Sequence, residues 1–316
     1  MRARNLCLGR PPERVSFPLA LPAITQQFLG GLFALGSAAC WAAASILWAR
    51  LGRDVSPLAM NLGKGLVGVA LLTITLMAAG FNPVEAHGWL LLGISGICGV
   101  AFGDTLYFLS LVRLGPRRAL LLTTLIPVVA VFLAIVILGE RLSASRWIGA
   151  ALCIGGIAWV MMERLPKNHD HGSWKKGVWY GLVSVIFCAT AVIFSKKGLD
   201  HIPALDASFI RLLCGSAGLF AYLSAKGTLK SEMSPFKSTR LVLILLLAAF
   251  IGTYVGIWLS LLALRHCTAS VATILNATSP VFVLPLSAMI LKEKISARSI
   301  AGALAAVAGA AWLLLG

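Results

Sequence analysis

The sequence predicts an all-α integral membrane protein in which ten transmembrane helices form two inverted five-helix repeats. Three observations predict it. Of 316 residues, 59% are hydrophobic and 12% charged, with a mean hydropathy of +0.91, whereas soluble domains carry about 25% charged residues. Apolar runs such as LVLILLLAAFIGTYVGIWLSLLAL (241–264) are long enough to span hydrocarbon and carry no charged residue to coat a soluble core. Finally, PVVAVFLAIVILGERLSASRWIGA (127–150) returns 153 residues later as PVFVLPLSAMILKEKISARSIAGA (280–303), with ten of 24 positions identical.

A span needs about 20 mostly apolar residues. Runs of that kind cover 28–49, 57–80, 89–112, 118–138, 146–162, 176–195, 205–224, 241–263, 269–291 and 298–315. Gly, Pro or charge marks each join: LGRDVSP, FNPVEAHG, RLGPRR, GERLSASR, ERLPKNHDHGSWKKG, KKGLDHIP, AKGTLKSEMSPFKSTR, LRHCTAS and KEKISARS. Residues 1–27 read as a mobile N-terminal tail. Its apolar portion, FPLALPA, is short and broken by Pro18 and Pro22, unlike the core of a cleaved signal peptide.

The formal net charge is +16. In a soluble chain that excess would point to nucleic acid. Here the basic residues lie mostly between apolar runs, where they meet anionic lipid headgroups, so the predicted partner is the bilayer and no nucleic acid is implied. Cys98, Cys153, Cys188 and Cys214 sit singly in apolar runs without CxxC or His–Cys spacing, which implies packing rather than disulfides or metal. The chain has no HExxH, no GxSxG elbow, no metal-binding carboxylate pair and no Gly-rich phosphate loop, so no enzyme and no cofactor is predicted.

The polar run around 167–172 divides the chain into a first repeat, 28–162, and a second, 174–316. At the offset of 153, Gly99 meets Gly252, Gly103 meets Gly256, Ala119 meets Ala272, Pro127 meets Pro280, Glu140 meets Glu293, Gly149 meets Gly302 and Trp159 meets Trp312. Small residues recur in all membrane helices, but a Pro and a Glu at equal separation in both halves need duplication. Because five is odd, the second copy enters the membrane from the opposite side, giving an inverted pair able to rock about a central site.

The fragments TLIPVVAVFLAIVILGERLSASRWIGAALCIGGIAWV and ATSPVFVLPLSAMILKEKISARSIAGALAAVAGAAWLLL resemble the ends of the two EamA-type repeats of the drug/metabolite transporter superfamily. The shared pattern is Pro, then Glu followed by a basic residue, then a Gly-rich last helix. The resemblance covers nearly all of the chain after residue 28. It implies ten helices, both termini cytoplasmic, and secondary transport of small metabolites or drugs across the cytoplasmic (inner) membrane, without naming the substrate.

Ionisable groups inside hydrocarbon are costly, so each is a candidate for the site. Lys64 and Asp104 lie at similar depth on adjacent antiparallel spans, about 10 to 12 Å from one surface. A neutralised structural pair is one reading; the other has Asp104 taking a proton or cation and Lys64 gripping an anionic substrate. Arg211 takes the place of Lys64 in the second repeat, but Ile257 stands where Asp104 would be. Its guanidinium is therefore the leading contact for a substrate carboxylate or phosphate, with snorkelling, or pairing with Asp206, as the alternatives. Tyr107, Thr123, Tyr254, Trp258 and Asn276 add polar tips within spans, and Pro127 and Pro280 are expected to kink their helices and free carbonyls toward a cavity. Glu140 and Glu293 are expected to pair locally with Arg141 and Lys294 at helix ends, with the serines of GERLSASR and KEKISARS as caps.

These features predict a secondary transporter of a small organic metabolite, amino acid-like or other, working as an exporter by alternating access, with a proton as candidate coupling ion. The alternatives are a drug efflux transporter and a non-transporting scaffold or flippase subunit. Lys and Arg number nine on the side implied to be cytoplasmic and sixteen on the other, which opposes the orientation the resemblance implies.

Overall fold

The computed structural model describes residues 23–114, 119, 122–162, 171–199, 202–279, 281–283, 286 and 297–315, and all regular structure among them is helical. Helix α1 (Ala23–Leu51) is followed by α2 (Pro57–Ala79). Ser56 caps α2 by accepting from the Ala59 N–H at 3.1 Å, and Pro57 opens the first turn, where no N–H is needed. Gly80, at φ 84°, ends it in a conformation costly for other residues. Helix α3 (Ala86–Gly96) runs through a π-helical segment, Ile97–Gly103, into α4 (Asp104–Leu114).

Helix α5 (Ile126–Leu138) ends at Gly139, which is left-handed at φ 67°, and α6 (Ala144–Met162) closes the first half. The second half contains α7 (His171–Gly198), α8 (Ala204–Ala225) and the short α9 (Leu229–Met233). It continues through α10 (Thr239–Ala248), a second π segment, Ala249–Val255, then α11 (Gly256–His266), α12 (Ala269–Asn276) and α13 (Ala297–Leu315).

Among the described residues, six helices are long and apolar enough to cross a membrane: Thr25–Leu51, Pro57–Ala79, Ala86–Leu114, Trp174–Gly198, Ala204–Ala225 and Thr239–His266. They fall on the first, second, third, sixth, seventh and eighth predicted spans. The other four predicted spans hold α5, α6, α12 and α13, which are shorter, at 13, 19, 8 and 19 residues. The predicted tail overlaps α1, which is helical from Ala23. The expected loop AKGTLKSEMSPFKSTR instead contains α9 and a 3₁₀ turn, Ser234–Lys237, tied to the start of α2 by a hydrogen bond from the Ser56 hydroxyl to Glu232.

Two packing relations position the site. Helices α6 and α13 lie against each other through glycine: a Cβ at Gly156 would stand 2.5 Å from the Ala306 N and 2.6 Å from the Gly302 O. A Cβ at Gly309 would meet Cys153 and, at 2.8 Å, the Gly149 carbonyl. Each contact is the other moved by 153 residues, and the crossing is antiparallel because the later residue of one helix meets the earlier residues of its partner.

The second relation is an exchange. Helix α1 packs against α10, α11 and α12, whereas α7, the first helix of the second half, packs against α3 and α4. Ser37 on α1 donates to the Gly256 carbonyl at 2.8 Å, and Ser184 on α7 donates to the Gly103 carbonyl at 2.8 Å. Gly103 and Gly256 are repeat partners at the ends of the two π segments, where the wider turn leaves carbonyls in need of donors.

Candidate functional site

A central cavity of about 210 Å³ opens between α1, α2, the two π-interrupted helices, α5, α7, α8 and α12. Lys64, Asp104, Tyr107, Thr123, Pro127, Arg211 and Asn276 all line it, so most of the polar residues singled out in the sequence converge here.

Lys64 is buried, and its Nζ lies 2.5 Å from Asp104 Oδ2 and 5.4 Å from the Phe108 ring centroid. The equal depth of the two residues on antiparallel helices thus ends in an ion pair, the arrangement a buried charge needs. The first π segment fixes the direction of Asp104, which begins α4. Asn61, one turn before Lys64, holds that segment by donating to the Val100 carbonyl and to Thr105 Oγ1, both at 2.7 Å.

Arg211 sits differently. Glycines bring α3 and α8 into backbone contact: a Cβ at Gly96 would overlap the Arg211 main chain, and one at Gly215 would stand 2.5 Å from the Gly96 carbonyl. That crossing sends the Arg211 side chain along α3 to Gly99, where a Cβ would lie 2.7 Å from its Nη2. The guanidinium makes no hydrogen bond or ion pair among the described residues, and its Nε is buried without a partner. The acid whose charge reaches it is Asp104.

Asp206, considered as a partner for Arg211, is engaged elsewhere. It is buried at the start of α8, and its Oδ2 accepts from Asn82 Nδ2 at 2.7 Å. Asn276 donates to Ser260 Oγ at 2.9 Å. Tyr254 and Trp258 do not line the cavity. The Tyr254 hydroxyl is 2.6 Å from Thr75 Oγ1, its ring stacks on Phe250 at 5.6 Å, and Trp258 packs beside it. Around Pro127, the chain breaks one turn early, at Thr124 and Leu125, and α5 restarts with Pro127 in its first turn rather than bending mid-helix. Pro280 lies outside the described residues.

Glu140 corrects the expected local pairing with Arg141, which is exposed. Its carboxylate accepts from the Ala269 N–H at 2.7 Å, the Ser270 N–H at 3.1 Å and the Ser270 hydroxyl at 2.6 Å, capping the start of α12 from 129 residues away. Glu293 lies outside the described residues.

Sequence reasoning did not single out Trp41, Trp48 or Ser184, which line the cavity, or Asn61 behind it, and Cys188, read there as a packing residue, lines the cavity as well. Trp41 and Trp48 are seven residues apart, and Asn61 precedes Lys64 by three, so each spacing placed the pair on one helical face.

A polytopic helical membrane protein with a charged cavity at its centre has the build of a solute carrier. The sequence matches the EamA-like transporter family over residues 28–162 and 175–315. It is 29% identical to an uncharacterized transporter of Archaeoglobus fulgidus across 90% of this chain and 97% of that protein. It is also 24% identical to a WAT1-related protein of Arabidopsis thaliana, across 71% of this chain and 66% of that one. A solved crystal structure superposes with a TM-score of 0.73 at 18% identity, covering 90% of this chain and 95% of its own, a likeness of fold alone. The chain belongs to the EamA-like transporter family and is a multi-pass membrane transporter.

Proposed function

We propose that the protein is a secondary transporter that exports a small organic metabolite across the cytoplasmic (inner) membrane, with Arg211 as the anchor for an anionic group of the solute. The observation that carries this reading is the contrast between repeat partners. Lys64 is neutralised by Asp104 at 2.5 Å, whereas Arg211 brings a guanidinium to the same cavity without a hydrogen-bonded or ion-paired partner among the described residues. A planar fork of donors with an unfilled bonding capacity is suited to a carboxylate or phosphate.

The mechanism we infer is alternating access by ten spans in two inverted repeats, 28–162 and 174–316, with both termini cytoplasmic. The antiparallel contact of α6 with α13 at repeat-related glycines and the reciprocal serine contacts of α1 and α7 support it. Tyr107, Thr123 and Asn276 complete the binding surface, and a proton taken up at Asp104 is the candidate coupling ion.

The test is flux. Purified protein in vesicles is loaded with a panel of labelled organic acids, amino acids and cationic drugs, and efflux is followed with and without a pH gradient. The reading expects flux of a solute bearing an anionic group, abolished in Arg211→Gln and reduced in Arg211→Lys, which keeps charge but loses the fork. Undiminished flux in Arg211→Gln, or flux confined to lipophilic cations, overturns it.

A further inference from the structure

We infer that the carried solute is an organic monoanion with an apolar, ring-sized body and no ammonium group, rather than a zwitterionic amino acid. This rests on the reading of Arg211 as an anion anchor and adds the rest of the solute to it.

The argument begins with charge. Among the described residues lining the cavity, the ionised groups are Lys64, Arg211 and Asp104. Two cations face one carboxylate, and that carboxylate is already held by Lys64 at 2.5 Å. One positive charge is left over, at Arg211. A single substrate carboxylate brings the site to neutrality, the condition under which buried charge is tolerated.

A zwitterion fails the same test. Its carboxylate would satisfy Arg211, but its ammonium would be left with Asp104, the one acid available. To reach Asp104 it must compete with the Lys64 ammonium while standing within range of Arg211, whose charge the same carboxylate already feels. Like charges placed together in a low-dielectric site are strongly disfavoured. The remaining groups, such as Asn276 and the hydroxyls of Tyr107, Thr123 and Ser184, supply dipoles but no negative charge.

The walls then describe the body. Trp41 and Trp48 from α1, Phe108 from α4, Ile126 from α5 and Val192 from α7 bound the cavity with apolar and aromatic surface. Gly256 sits against the Trp41 indole, where a Cβ would approach Nε1 at 2.9 Å, and Gly252 sits against α1 at Ala44, where a Cβ would approach the Ala44 Cβ at 2.6 Å, so the absence of side chains lets α1 pack close and keeps the Trp41 ring in place. Such a lining favours a planar apolar group over a polar one.

Three probes with one skeleton separate the cases: 3-phenylpropanoate has only the anion, phenylalanine has both charges, and phenethylamine has only the cation. Binding to the full-length protein in lipid nanodiscs is measured by displacement of labelled 3-phenylpropanoate. The expected result is saturable binding of 3-phenylpropanoate, at least about tenfold weaker binding of phenylalanine, and no displacement by phenethylamine. Lys64→Gln, which releases Asp104, should narrow the gap between the first two; an unchanged gap counts against the inference.

Phenylalanine binding as tightly as 3-phenylpropanoate, displacement by phenethylamine, or no saturable binding of 3-phenylpropanoate overturns the inference. If phenylalanine binds tightly and Arg211→Gln removes that binding, the anchor reading survives and only the solute class falls. If Arg211→Gln leaves every affinity unchanged while the protein elutes as a folded monodisperse species, the anchor reading itself falls.

Discussion

The Glu140 carboxylate receives both the main-chain N–H and the hydroxyl of Ser270, at 3.1 and 2.6 Å, and the Ala269 N–H at 2.7 Å. An acid at the end of a first-half helix therefore caps a second-half helix. The first N–H groups of any helix lack internal partners and carry the positive end of its dipole, so a carboxylate is the natural occupant. Glu140 is thus a tie between halves, bound to the helix whose far end, at Thr273 and Asn276, lines the cavity.

Glu140→Ala should cost about 3 kcal/mol of stability, since it leaves several buried donors without a charged acceptor. Glu140→Gln, which keeps the shape and one acceptor oxygen, should cost about 1 kcal/mol. Thermal unfolding in detergent checks the order. Equal stability of Glu140→Ala and the parent would show that the cap contributes nothing.

The Lys64–Asp104 pair makes a different kind of prediction. Replacing either residue alone strands a buried charge and should lower stability by about 3 kcal/mol or more, while Lys64→Met with Asp104→Leu should restore much of it. Expression level and unfolding temperature of the four proteins complete the cycle. If the double variant folds but carries no solute, the pair serves transport as well as folding. Single variants as stable as the parent would rule out a coupled pair.

How far the sequence reaches is visible in these same residues. The meeting of Lys64 and Asp104 followed from rise per residue, because residues equally far from adjacent ends of two antiparallel helices lie at one level. The unfilled bonding capacity of Arg211 followed from repeat register, which put Ile257 where an acid was expected. Tyr254 and Trp258 were less legible. In helices that are apolar all round, no polar face tells cavity from lipid or packing interface. Tyr254 also lies in the second π segment, Ala249–Val255, where the wider turn shifts the face on which each residue emerges. Nothing in FIGTYV advertises that change of pitch. The partner of Glu140 was hidden for a simpler reason: a contact spanning 129 residues leaves no local pattern, whereas Arg141 stood next in line.

The inverted arrangement proposed above predicts that positions 140 and 293 lie near opposite faces of the membrane. Single cysteines at the neighbouring positions, Arg141→Cys and Lys294→Cys, should therefore be labelled by an impermeant thiol reagent from opposite sides in oriented vesicles. Labelling of both from one side would refute the inverted arrangement. The side that reaches Arg141 also decides the orientation, which the nine and sixteen basic residues leave in opposition to the family topology.

The sharpest structural prediction contrasts two adjacent glycines on α6. A Cβ at Gly155 meets nothing within 4 Å, whereas one at Gly156 would stand 2.5 Å from the Ala306 N and 2.6 Å from the Gly302 O. Those neighbours are main-chain atoms of α13, which cannot rotate aside as a side chain can. Gly156→Leu must therefore push α6 and α13 apart along their whole contact, at a cost of about 3 kcal/mol. Gly155→Ala should be neutral or stabilise by up to about 1 kcal/mol, since alanine is the better helix former and the space is open. Because Gly309 is the repeat partner of Gly156 and meets Cys153 and Gly149 in the same way, Gly309→Leu should reproduce the loss. Unfolding temperatures of the three variants decide the matter. Equal effects at positions 155 and 156 would mean that α6 and α13 do not meet through this face.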